Sequence, residues 1–152
     1  MATVLKTFMV VLLVSTSPML ASVSADETEG VVRVDGARVK AAFAKGMPLV
    51  ENDELKVHAS RRDTGGQAEV HERDTDIFYV LEGSAELVTG GELVRETNVA
   101  AGEIRADAIE GGQSRRIGPG DVIVVRRGVP HWFRSVDEPM TYYVVKVSGD
   151  PE

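Results

Sequence analysis

Two histidines stand among carboxylates at spacings that suit the capture of a cation. Glu69 and His71 lie two residues apart, Asp76 follows shortly after, and His131 comes from a distant part of the chain. Side chains alternate across a strand, so Glu69 and His71 share a face if their segment is extended. Asp76 then opens the next extended run with Phe78 and Val80 on its face, and Phe133 is in phase with His131. If that face is the inside of a closed sheet, two imidazoles and one or two carboxylates converge with coordination positions left open. Such a donor set suits one divalent transition metal, with Fe(II), Mn(II), Ni(II) and Zn(II) all compatible. There is no cysteine, which removes thiolate sites for copper(I) or structural zinc, disulfides and cysteine nucleophiles.

Other residues are candidates for the chemistry around such an ion. Glu69 is either a ligand or the base that moves a proton. Phe78 and Phe133 are candidate substrate contacts because they are in phase with the ligands, although aromatic residues in strands more often build core. Arg126 falls where a turn near the mouth of a barrel is expected, and a guanidinium there is able to fork onto a substrate carboxylate. His58 has no partner at ligand spacing and reads as a structural or pocket-wall residue.

The elements that must position these residues are mostly strands. Extended runs occur at Leu55 to Ala59, Gln67 to His71, Asp76 to Leu81, Ala85 to Val88, Glu92 to Thr97, Ser114 to Ile117, Asp121 to Val125, His131 to Ser135 and Met140 to Val147. Gly65-Gly66, Glu82-Gly83, Gly90-Gly91, Gly111-Gly112, Gly118-Pro119-Gly120 and Gly128 separate them as turns. Thr89-Gly90-Gly91-Glu92 has the form of a two-residue hairpin, because glycine accepts the positive φ such turns need. One short helix is expected, capped by Asp35, carrying Val39, Ala42 and Phe43 on one side and ended by Gly46; it reads as a lid on the barrel edge. Short strands with glycine turns define an all-β sandwich or barrel. The stretch from Val99 to Gly112 reads as an irregular loop.

At 152 residues the chain is expected to form one domain with a workable core. Apolar residues make up 43% and charged residues 27%, the balance of a soluble globular body. The formal net charge of −7 offers no positive field to a phosphate backbone, so nucleic acid is not expected as a partner. Residues 1–25 differ from the rest: Lys6 is their only charge, Phe8 to Val14 is apolar, and Val23-Ser24-Ala25 offers small residues for a signal peptidase. They read as a cleavable signal peptide, too short in its apolar run to anchor in a bilayer. The expected product is an exported domain over residues 26–152, periplasmic or secreted, without a stable membrane anchor. Loss of Lys6 takes its net charge from −7 to −8.

The segment from Glu69 through Tyr79-Val80-Leu81-Glu82-Gly83 resembles the first cupin motif, G(X)5HXH(X)3–4E(X)6G. Gly120, Gly128 and His131 are similar to the second, G(X)5PXG(X)2H(X)3N, with Arg126 in place of its Pro and Ser135 in place of its Asn. The resemblance implies a jelly-roll β-barrel and a metal held by Glu69, His71, Asp76 and His131, where Glu69 replaces a histidine and Asp76 a glutamate. It also implies a homodimer, a direction that the exposed edges of a small barrel share. Two functions stay open at this point. One is a metal-dependent lyase, isomerase or dioxygenase acting on a small polar or carboxylated molecule. The other is a non-catalytic module that binds or senses a small molecule.

Overall fold

The structure, a computed structural model, describes residues 26–28 and 30–149. The expected signal peptide, residues 1–25, lies outside them. In chain order the elements are β1 (Asp26–Thr28), β2 (Val31–Arg33), α1 (Gly36–Phe43), β3 (Met47–Glu51), β4 (Leu55–Arg62) and β5 (Ala68–His71). There follow β6 (Asp74–Thr89), β7 (Glu92–Val94), β8 (Thr97–Ala100), β9 (Glu103–Ala106), β10 (Ala108–Glu110), β11 (Gln113–Ile117), β12 (Val122–Val125) and β13 (His131–Ser148). The all-β expectation with one short helix holds.

Two long antiparallel strands organise the rest. β6 and β13 pair from Ser148 opposite Asp74 to His131 opposite Thr89. The first half of β6 is flanked by β12, and the matching half of β13 by β4 and then β3. The second half of β6 is flanked by β11, and the matching half of β13 by β5, β9 and β8. The long strands bend between these halves, so one continuous sheet folds over itself into two layers. Phe78, Val80, Leu87, Ile117, Val125, Phe133, Met140, Tyr142 and Val144 are buried between them.

The bend corrects two expectations. Glu82-Gly83 is not a turn between strands, and the runs His131 to Ser135 and Met140 to Val147 are one strand. Gly83 has φ +74, and β13 shifts register opposite it, between Val136 and Thr141. Such bulges bend a strand without ending it. They also change which residues face inward: Asp74, Asp76, Phe78 and Val80 are buried before the bulge, Ala85 and Leu87 after it. On β13 the inward set changes from His131 and Phe133 to Met140, Tyr142 and Val144.

The segment between β6 and β11 is also more regular than expected. Gly90-Gly91 does not close a hairpin, because β7 pairs with β10 rather than with β6. Both glycines have positive φ, and a Cβ on Gly91 would lie 2.3 Å from the carbonyl oxygen of Glu110. The run Glu92 to Thr97 is split at Arg95, whose φ is 53. Val99 to Gly112, expected to be irregular, contains β9 and β10, and β9 extends the sheet beside β5.

The helix forms where expected, with Asp35 Oδ1 accepting from the backbone N–H of Ala37 and Arg38 at 3.0 Å each. It sits against β3, which among the described strands pairs only with β4 and so forms an edge of the sheet. Ala42 packs with Leu49 and Ala59, and Phe43 meets the edge of Tyr143 at 4.9 Å, which puts the helix over the outer side of β3 and β4. Among the described residues no helix is long and apolar enough to cross a membrane.

Candidate metal centre

The sheet brings the spaced residues together at one end of the cavity between the layers. Glu69 and His71 lie on β5, and the pairing of β5 with β13 sets His131 directly opposite Glu69. Asp76 enters from β6. His131 Nε2 lies 3.5 Å from Glu69 Oε1, and His71 Nε2 lies 3.9 Å from Glu69 Oε2. Donors around a common ion at bond lengths of about 2.1 Å sit roughly 3 to 3.4 Å apart, so a contraction of a few tenths of an ångström brings these to coordination distance. Glu69, His71 and His131 each offer one ligand atom, all within 4.8 Å of one another.

The imidazoles are oriented from behind. His71 Nδ1 is 2.7 Å from Glu103 Oε2 on β9, and His131 Nδ1 is 3.1 Å from the carbonyl oxygen of Val129. Neither a carboxylate nor a carbonyl donates, so each Nδ1 carries the proton and each Nε2 presents a lone pair inward. Both Nε2 atoms are buried without a hydrogen-bond partner. An unpartnered buried acceptor is costly, and two that face one carboxylate are accounted for by an ion between them. The donor set therefore fits a divalent metal.

Charge states agree with that fit. Burial works against the Glu69 carboxylate, but the His131 ring, in the form that carries a proton on Nε2, and the Arg105 guanidinium outweigh it and hold the carboxyl down to about 2; a metal ion in place of that proton would keep the carboxylate ionised in the same way. Burial, reinforced by the Lys146 ammonium, lowers the His71 pKa below the ordinary imidazole value. An ionised carboxylate and a neutral imidazole are the metal-ready forms.

Asp76 lies beside this group, with Oδ2 3.5 Å from His71 Nε2 and 3.8 Å from His131 Nε2. Both its oxygens also accept from Lys146 Nζ, at 2.8 and 2.6 Å. Phe78 and Phe133 are buried walls of the same cavity, which encloses about 160 Å³. Arg126 does not line it; that side chain is exposed and borders a separate groove with Leu87, Arg115 and Val122. The basic residues that do line the cavity are Arg62, Arg105 and Lys146. His58 lies on β4 opposite Val144, does not line the cavity, and has its pKa lowered by burial.

Reasoning from sequence missed these three cations and Glu103. A signal existed for some of them. Tyr142, Val144 and Lys146 alternate as one inward face, and Glu103 and Arg105 have the same spacing as Glu69 and His71. Only the register of β9 against β5 reveals that Glu103 stands opposite His71 and Arg105 opposite Glu69.

A two-layered antiparallel sheet with a histidine and carboxylate cluster inside is the architecture of the cupins. The family model described as Cupin matches residues 23–152, and the chain belongs to this family. Similar folds occur in a protein from Bacillus halodurans, with a TM-score of 0.54 at 16% identity over 75% of this chain and 77% of that one. A hydroquinone 1,2-dioxygenase from a Sphingomonas species gives a TM-score of 0.51 at 13% identity, over 70% of this chain and 67% of that one. A Klebsiella pneumoniae protein with a double-stranded β-helix domain gives 0.50 at 20% identity, over 75% and 90%. These likenesses concern the fold. Comparison with curated proteins finds no match.

Proposed function

We propose that this cupin holds one divalent transition metal through Glu69, His71 and His131, with Asp76 as a weaker fourth ligand, and acts as a metal-dependent enzyme on a small polar or carboxylated molecule. The observation that carries the reading is the pair of buried, unpartnered Nε2 atoms facing Glu69. Two imidazoles and a carboxylate suit Fe(II), Mn(II), Ni(II) or Zn(II), and such an ion supplies Lewis-acid polarisation or, as iron, oxygen chemistry. The lyase, isomerase and dioxygenase classes all remain within this reading.

The chain's own residues do the rest. Phe78 and Phe133 exclude water on the apolar side of the cavity, and Arg62, Arg105 and Lys146 make the opposite side receptive to anions. Glu69 suits the role of ligand better than that of proton-transfer base, because a carboxyl held near 2 is a weak base at neutral pH. That same observation favours the second reading, in which the barrel captures a small molecule without breaking a bond.

Elemental analysis of untagged protein purified without chelators tests the proposal. About one divalent transition metal per chain is expected, and His71→Ala or His131→Ala should abolish it. Folded protein that takes up none of the four metals on reconstitution, and is indifferent to both substitutions, would put the binding-module reading first.

Export and self-association belong to the same proposal. The order of Lys6, an apolar run and Val23-Ser24-Ala25 supports cleavage near Asp26, which N-terminal sequencing of exported protein would test. Val122 and Val124 are exposed on β12, which among the described strands pairs only with β6, and this supports a homodimer. Light scattering that finds only monomer at micromolar concentration would remove that claim.

A further inference from the structure

We infer that Arg62 is the carboxylate anchor of the cavity, and that the molecule it receives is a small organic acid. The inference rests on the reading that the cavity beside Glu69, His71 and His131 is the functional site.

Three cations line that cavity, and two are already committed. Lys146 Nζ donates to both oxygens of Asp76. Arg105 Nη2 is 3.1 Å from Glu69 Oε2, and its Nη1 reaches the carbonyl oxygen of Ile104 at 3.2 Å and Glu103 Oε2 at 3.5 Å. Arg62 differs. Its Nε donates to the Tyr142 hydroxyl at 2.9 Å, and its guanidinium carbon lies 4.5 Å from the centroid of the Phe133 ring. Tyr142 and Phe133 are both buried, so the guanidinium plane is fixed at its stem and on its face.

The two terminal nitrogens make no hydrogen bond to any described residue; Nη2 comes no nearer to Glu69 Oε1 than 3.9 Å. Nη1 packs against Gly66, within 2.7 Å of where a Cβ would stand, so the absence of a side chain there is what admits the guanidinium. A guanidinium that is held at Nε, with no hydrogen bond at either terminal nitrogen and only a long ion pair from Nη2 to Glu69, presents the planar fork that matches a carboxylate.

Charge and size narrow the ligand. With Glu103 behind His71 included, Glu69, Asp76 and Glu103 balance Arg62, Arg105 and Lys146, so a divalent ion leaves two positive charges uncompensated. A monocarboxylate offsets one of these charges and a dicarboxylate both. A volume of about 160 Å³ corresponds to roughly five water molecules, which suits the carboxylate-bearing end of a small acid.

The test compares acids with their neutral analogues. Purified protein, both metal-free and Ni(II)-loaded, is titrated calorimetrically with acetate, pyruvate and malonate, and in parallel with acetamide and malonamide. The acids should bind about 10- to 100-fold more tightly than the amides. Arg62→Met should remove most of that preference while Ni(II) occupancy stays unchanged, and Arg62→Lys should recover only part of it, because an ammonium lacks the fork. The comparison of acid with amide needs no variant, so a folding defect in Arg62→Met does not shield the inference. Amides that bind as tightly as acids, or an Arg62→Met protein that keeps the preference, would overturn it. Acid binding through Arg62 in a protein that takes up no metal would sink the metal reading and leave the anchor standing.

Discussion

His71 and Glu103 are cross-strand partners on β5 and β9, and the imidazole Nδ1 lies 2.7 Å from the carboxylate Oε2. This contact fixes both the ring angle and the tautomer, and so aims Nε2 at Glu69. Carboxylates behind ligating imidazoles typically contribute about 10- to 100-fold to metal affinity. Glu103→Gln should therefore weaken Ni(II) or Mn(II) binding by a factor in that range, although Glu103 meets only the far side of the His71 ring and offers the ion no ligand atom. Competition titration against a chelator measures it, and an unchanged affinity would show that the sheet alone orients His71.

The corner of the molecule depends on one glycine. A Cβ on Gly83 would lie 2.4 Å from the carbonyl oxygen of Pro139 and 2.7 Å from Met140 Cα, at a φ of +74. Gly83→Ala should cost about 2 to 4 kcal/mol, from left-handed strain together with the steric clash. Gly90 has a similar φ of 71 but nothing within 4 Å of a built Cβ, so Gly90→Ala should cost only about 1 to 2 kcal/mol. Urea denaturation of the two variants separates them; equal losses would mean that the close approach at Gly83 relaxes at no cost.

How far the sequence discloses this site follows from that corner. Glu69 and His71 are legible because they stand two apart on one strand, Asp76 because it falls near the start of the next, and His131 because it stands in a recognisable motif. Tyr142 and Lys146 are not, since β13 slips register between Phe133 and Thr141 and the inward parity changes from odd to even. No periodicity argument from His131 survives that slip. Glu103 and Arg105 are hidden for a different reason. Their segment carries glycines and charges that read as loop, and only pairing with β5 makes β9 a strand. Arg62 lies past the predicted end of its strand at Ala59, because β4 continues to Arg62 opposite Met140.

A buried ion pair near the site ties stability to acid pH. Asp74 Oδ2 accepts from Lys56 Nζ at 2.8 Å and Oδ1 from Ser148 Oγ at 2.6 Å. Burial favours the neutral acid, but these two hydrogen bonds and the Lys56 charge outweigh it and hold the Asp74 carboxyl below its ordinary value. A carboxyl depressed in the folded state stabilises the fold above its unfolded value, near 3.9, and loses that contribution as pH falls through the folded value. Asp74→Asn should lower stability at pH 7 by about 1 to 3 kcal/mol and flatten the decline below pH 4. Denaturant melts across pH 2.5 to 7 measure both; a variant that keeps the wild-type slope would assign the acid sensitivity to other carboxylates.

The number of protein ligands is decided by comparing Glu69→Gln with Asp76→Asn. Glu69 faces both imidazoles and shares one oxygen with Arg105, whereas both oxygens of Asp76 are engaged by a single ammonium. Coordination by Asp76 would compete with those two short bonds to Lys146, while Glu69 has an oxygen, Oε1, that Arg105 does not use. Glu69→Gln should therefore abolish or strongly reduce metal occupancy, and Asp76→Asn should reduce it less, since a neutral amide mainly leaves Lys146 unpaired. Occupancy measured by elemental analysis, together with the thermal shift on adding Ni(II), reads both variants. Equal loss in the two would make Asp76 a full fourth ligand that releases Lys146 on binding. Full occupancy in Glu69→Gln with loss of activity would instead make Glu69 the group that moves a proton, with Asp76, His71 and His131 left as the three that hold the ion.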